Sequence, residues 1–159
     1  MNFTPETTKK LREWLKENNF EVGCRLGKEV AFQPADDFNN SHIIIPKTYD
    51  FSLDKFFIEF LKKYGYSDNF EAITLSFLHE IGHFETKHLF NQEEWNTDAF
   101  LKMSLGLKNN ETQEEEKEIV FKYWETSTEF CANMWLIMYT QIFKEKVVKL
   151  EKILKKYSQ

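Results

Sequence analysis

The sequence predicts an α+β fold, mostly helical, with one small sheet placed before the last helices. Three observations carry this expectation. Apolar residues recur at three- and four-residue spacing through most of the chain, which is the period of a helix with one buried face. A single stretch, Phe20 to Pro46, breaks that period with β-rich pieces and turn residues. The 159 residues are 42 % apolar and 30 % charged, with 16 phenylalanines, so one domain over 1–159 can bury a ring-rich core.

The elements follow in order. Thr4, Pro5 and Glu6 form a helix start: a hydroxyl cap, a proline whose missing N–H costs nothing there, and an acid at the positive end of the dipole. Leu11, Trp14 and Leu15 make its apolar stripe, and Asn18 and Asn19 end it. Two or three short strands come next, around Glu29 to Gln33 and His42 to Ile45, separated by Pro34, Ala35, Asp36, Asp37 and Asn39-Asn40. Phe56, Phe57, Phe60 and Leu61 place a helix over Phe51 to Tyr64, with Gly65 as its stop. Ser67 or Asp68 caps the next helix, which extends to about His88. A further helix is expected from Glu94 to Leu105 and a loop from Gly106 to Asn110. Glu111 to Tyr157, free of Pro and Gly, reads as one long helix or two. Its residues 111–129 hold two Lys against seven Glu, and residues 141–159 hold six Lys against two Glu. That order of charge suits a helix dipole better than a docking surface.

Composition narrows the function. A formal charge of −5 argues against a general nucleic-acid binder, which needs a basic surface. Cys24 and Cys131 show no metal-binding spacing and fit a reducing compartment. Met1 to Leu11 lacks the order of a secretory signal, and the longest oily stretch, Phe130 to Phe143, is broken by Asn133, Thr140 and Gln141. The expectation is a cytoplasmic protein without a membrane span.

The string His79-Glu80-Ile81-Gly82-His83 is an HExxH. Two histidines four apart on a helix project one turn above each other and can reach one Zn²⁺ ion. The adjacent Glu80 sits beside such an ion, where it can take a proton from water and pass it to a leaving amine. Counting 100° per residue, Phe70, Ile73, Phe77, Ile81 and Phe84 fall on one side of this helix and the histidines on the other, with Ala72 and Ser76. The small residues leave room for a second helix to approach.

A catalytic zinc site takes a third protein ligand and an open position. A metzincin would need glycine at Thr86 and histidine at Leu89, so that pattern fails. A gluzincin takes a glutamate from a later helix. Glu125 and Glu129 share a face, and Glu129 leads into an apolar stretch where a carboxylate is costly without a cation. Ala132 leaves space beside it, and the Asn133 amide could orient a ligand histidine. Glu129 is preferred, with Glu125 next and Glu93, Glu94 or Asp98 behind.

The run HEIGHFETKH, with histidines at 79, 83 and 88, resembles the active-site helix of the ImmA/IrrE family of small gluzincins. TEFCANMW resembles that family's glutamate helix, and the β-rich segment before the motif is similarly placed. The likeness covers about residues 25–140. The 46 positions from His83 to Glu129 exceed the family's usual link and imply an inserted helix over about Glu94 to Leu105. The resemblance implies a zinc-dependent endopeptidase of bacterial or phage origin that cleaves a protein, often a transcriptional regulator.

On this reading His79, His83 and Glu129 hold Zn²⁺ and Glu80 is the catalytic base. A peptide or protein substrate pairs with an edge of the small sheet, Glu29 to Gln33 or His42 to Ile45. The group that stabilises the oxyanion is open among Tyr123, Tyr139 and His88. His88 otherwise reads as a solvated helix-end residue, His42 as a strand residue, and Trp95, Trp124 and Trp135 as core. Two other functions stay open: a catalytically silent metallopeptidase fold that binds and modulates a host protein, and an all-helical interaction protein without metal.

Overall fold

The computed structural model describes residues 1–37, 39–106 and 112–159. Among them are helices α1 (Pro5–Glu17), α2 (Asp54–Lys63), α3 (Ala72–Thr86), α4 (Gln92–Gly106), α5 (Gln113–Trp124), α6 (Ser127–Ile142) and α7 (Lys144–Lys156). Strands β1 (Gly23–Gly27), β2 (Ala31–Gln33) and β3 (His42–Pro46) form the one sheet, so the fold is α+β and mostly helical. No helix among these residues is long and apolar enough to cross a membrane.

The first helix starts as its residues dictate. The Thr4 side chain accepts from the Thr7 N–H while the Thr7 hydroxyl accepts from the Thr4 N–H, a reciprocal cap that contributes about 1 kcal/mol. Its end is set by Asn18, followed by Asn19 in the left-handed region at φ 61°. Leu11, Trp14 and Leu15 are buried against the sheet and α7. Gly65, at φ 106°, ends the second helix.

The sheet order is β1-β3-β2, with β1 parallel to β3 and β2 antiparallel to it. β3 is therefore the central strand. This corrects the expectation that His42 to Ile45 could be an edge: both sides of β3 are paired, and Ile43 and Ile45 are fully buried. β1, absent from the expected strands, pairs through residues whose glycines and arginine weaken the β signal.

The histidine helix is the centre of the molecule. α3 packs on α2, α6, α7, β2 and β3, and Ile73, Leu75, Phe77, Leu78 and Ile81 are all closed from solvent. The two expected faces are both in contact, the apolar one in the core and the histidine one against α6, while Ser76 and Glu80 stay half-buried on the side of a cleft. The start of α3 also differs. The cap position is Glu71, with no side-chain cap bond, rather than Ser67 or Asp68. The two residues leading into the helix are held by side chains from elsewhere: Phe70 N–H donates to the Tyr66 hydroxyl at 2.8 Å, and Glu71 N–H to Glu151 at 3.2 Å. Asp68 instead pairs with Lys144 at 2.8 Å.

The C-terminal stretch forms three helices, not one or two. The first break comes at Glu125-Thr126, where Thr126 is extended and its hydroxyl bonds back to the Tyr123 carbonyl at 2.7 Å. The second comes at Phe143, at φ −117° and ψ 39°. The dipole arrangement survives in pieces, with Glu114, Glu115 and Glu116 opening α5 and Lys155 and Lys156 closing α7. The expected loop over Gly106 to Asn110 begins at the end of α4, and its residues 107–110 lie outside the described residues, as does Glu111.

Candidate metal centre

The α3–α6 pair is the most extensive helix contact in the molecule. At Gly82 the two backbones come close together: a Cβ there would stand 2.7 Å from the Ala132 carbonyl oxygen and 3.0 Å from the Ala132 Cα. Ser76, expected with Ala72 to admit the second helix, lines the cleft and stands 3.5 Å from the Tyr49 hydroxyl, and Ala72 is buried. Gly82→Ala is expected to cost roughly 1–3 kcal/mol of stability by prying the helices apart, measured by urea denaturation.

This approach brings Glu129, in the first turn of α6, against both histidines of α3. Glu129 Oε2 lies 2.6 Å from His79 Nε2 and 3.0 Å from His83 Nε2. All three side chains are buried. Asn133, one turn further along α6, has its amide nitrogen donating to the Trp124 carbonyl at 3.3 Å, which turns its oxygen toward His79 Nδ1 at 2.7 Å. That oxygen can only accept, so Nδ1 of His79 carries a proton and Nε2 is the nitrogen with a free lone pair.

A neutral His79 would then present a lone pair to a carboxylate, an arrangement that needs a positive charge between or upon them. A proton answers this in the metal-free chain: burial works to lower the His79 pKa, but the charge and hydrogen bond of Glu129, with Glu80 and Asn133, raise it to about 9. Burial likewise favours a neutral Glu129, yet His79 and His83 hold its pKa well below the ordinary carboxylate value. A metal ion answers the same need. Two imidazole nitrogens and a carboxylate oxygen converging on one buried point fit a borderline-soft divalent ion. His83 Nδ1 is buried with no hydrogen-bond partner among the described residues, so that ring is held through Nε2 by Glu129 and by packing between Phe32 at 6.5 Å and Trp95 at 6.1 Å.

His79, Glu80 and His83 each place one ligand atom within 4.8 Å of the others and could hold a metal ion. Glu80 is half-buried and lines a cleft of about 640 Å³ with both histidines and Glu129. Burial raises its pKa; the two histidines and the Phe32 N–H pull it down, and Glu129 pushes it up, with a net rise. The cleft walls come from β2 and the residues before it, from Tyr49 and Asp54, and from Trp95, Lys102 and Tyr123. As the sheet's edge, β2 presents its free side there.

The other expected site residues separate cleanly. Glu125 is exposed, accepting from the Tyr64 hydroxyl at 3.2 Å and lying 3.5 Å from Lys63. Glu93 and Glu94 are exposed, and Glu94 bonds the Asn91 N–H. Asp98 is buried but accepts from the Thr128 hydroxyl. Of the candidate oxyanion groups, only Tyr123 lines the cleft; His88 is exposed on a 3-10 turn, and Tyr139 stacks on Trp135 in the core. Trp124 is core and also reaches the cleft, whereas Trp95 is half-buried in the cleft wall and not core, a correction that follows from α4 lying largely on the surface. His42 opens β3, its Nδ1 2.6 Å from the Asn40 carbonyl.

Sequence reasoning missed Lys102, whose ammonium lies 2.9 Å from Glu129 Oε1. The available signal was its spacing: Trp95, Asp98 and Lys102 share one stripe of α4. Comparison with protein families, with curated proteins and with solved structures finds no match to this chain.

Proposed function

We propose that the chain is a zinc-dependent endopeptidase of the ImmA/IrrE-like gluzincin type. The observation that carries this is the convergence of His79 Nε2, His83 Nε2 and Glu129 Oε2 at the floor of a cleft that Glu80 also lines. His79, His83 and Glu129 are the residues that would hold zinc, with Asn133 orienting His79. Bound zinc would supply a Lewis acid for the scissile carbonyl and lower the pKa of water.

The chain's own groups do the rest. Glu80, its carboxylate made more basic by burial, takes a proton from the attacking water and returns it to the departing amine. Tyr123, held protonated by burial and by Glu129, Glu80 and Glu29, donates a hydrogen bond to the oxygen on which charge develops. The free edge of β2 aligns an extended substrate segment as an added strand. The resemblance of HEIGHFETKH and TEFCANMW to that family extends the reading to a regulatory protein as substrate, in a bacterial or phage setting and a cytoplasm that keeps Cys24 and Cys131 as free thiols.

Protein purified without added zinc is expected to contain about one equivalent by elemental analysis, as three protein ligands with one open position would hold. The double variant His79→Ala, His83→Ala should contain almost none. Equal metal in both would overturn the assignment.

A further inference from the structure

α4 is a cleft wall held on by few contacts. Its packing partners are α5 and α6, and most of its residues are exposed, including Phe100, Leu101 and Met103. The stripe facing the body is Trp95, Asp98 and Lys102. Trp95 stands beside His83, and buried Asp98 accepts from Thr128. Lys102 is the hub: besides Glu129 Oε1 at 2.9 Å, it lies 3.4 Å from the Thr128 hydroxyl, 3.6 Å from Asp98 and 5.6 Å from the Tyr123 ring centre.

Glu129 is thus divided. One oxygen serves the two imidazoles and the other serves Lys102. We infer that Lys102 is a resident cation that competes with the metal for Glu129, so that loading of the centre and docking of α4 oppose one another. This rests on the metal-centre reading above and adds a regulation to it. A carboxylate carries one negative charge, and a divalent ion drawing on it through Oε2 both weakens the bond from Oε1 to Lys102 and repels the ammonium. The opposing effect, loss of placement when Lys102 is removed, is small here. The position of Glu129 is already set by the α3–α6 contact at Gly82 and Ala132, and its two imidazole partners are buried side chains of α3. Removing Lys102 therefore removes a charge, not a scaffold. Thermodynamic reciprocity then requires that whatever loosens α4 tightens the metal, and the converse.

The test uses the full chain as wild type, Lys102→Met and Lys102→Arg. Zinc affinity is measured by competition with a chromophoric chelator, and amide hydrogen exchange of α4 with and without zinc. Lys102→Met is expected to bind zinc about tenfold more tightly, and Lys102→Arg, which keeps the charge, to match wild type. In wild type, zinc should speed exchange of α4 amides while slowing those of α3; in Lys102→Met the α4 response to zinc should vanish. Zinc binding of equal or lower affinity in Lys102→Met, or α4 amides protected further by zinc, overturns the inference and leaves the metal centre standing. Zinc bound by none of the three overturns both. Should Lys102→Met fail to fold, exchange of the wild-type α4 amides decides alone.

Discussion

Glu80→Gln is expected to keep its zinc and its fold while losing hydrolysis of any protein the wild type cleaves, with kcat/KM falling by roughly 10²- to 10⁴-fold or more. Glutamine has nearly the shape of glutamate, and Glu80 lines the cleft half-buried, so the packing of α3 is undisturbed. What disappears is the site that takes and returns a proton. Burial lifts the Glu80 pKa against the pull of both histidines, which brings the carboxylate closer to the range where both halves of that transfer are fast. The measurement pairs elemental analysis with cleavage of a loosely folded protein. A variant that still cleaves, at a rate that His79→Ala abolishes, would show that Glu80 is not the base.

Glu129→Ala is expected to lower zinc affinity by more than the roughly 10- to 100-fold typical of a partner outside the ligand set. It should also remove the rise in melting temperature that zinc confers. Metal bound only to the folded chain stabilises it by about 4 kcal/mol when zinc exceeds its dissociation constant a thousandfold, and this contribution goes with the ligand. Glu125→Ala is the control. That carboxylate is exposed and its partners are Tyr64 and Lys63, so its loss should cost no more than about 1 kcal/mol, with zinc binding unchanged. The reverse pattern, metal lost with Glu125 and kept without Glu129, would refute the assignment of the third ligand.

What could be read from the chain is what local chemistry decides. The Thr4-Pro5-Glu6 start, the Asn18-Asn19 end and the Gly65 stop are each set within a few residues, and the structure carries all three. The spacing of His79, Glu80 and His83 needs nothing beyond helix geometry. Glu129, Ala132 and Asn133 share one face of α6 by the same arithmetic. The features that escaped depend on residues far apart. Gly82 is an ordinary small residue until α6 lies against it. The breaks at Thr126 and Phe143 lack Pro or Gly, and go with the packing of α5 on α2 and α4 and of α7 on α1 and α3. Asp68 does not cap α3 as expected, because Lys144 of α7 draws it into an ion pair, and the cap position falls to Glu71, whose N–H meets Glu151 of α7. Lys102 reads as one surface cation among many, and only the fold places it on a buried carboxylate.

The distance along the chain between the two halves of the centre also orders events in time. His79, Glu80 and His83 leave the ribosome before Glu129, which is 46 residues behind the second histidine. Until α6 has been made and has settled onto Gly82, the histidines lack the Glu129 carboxylate. On the proposed function, a growing or half-folded chain is then unable to cut the exposed polypeptide around it, including its own siblings. On that reading activity would begin only when the molecule has become too ordered to be its own prey.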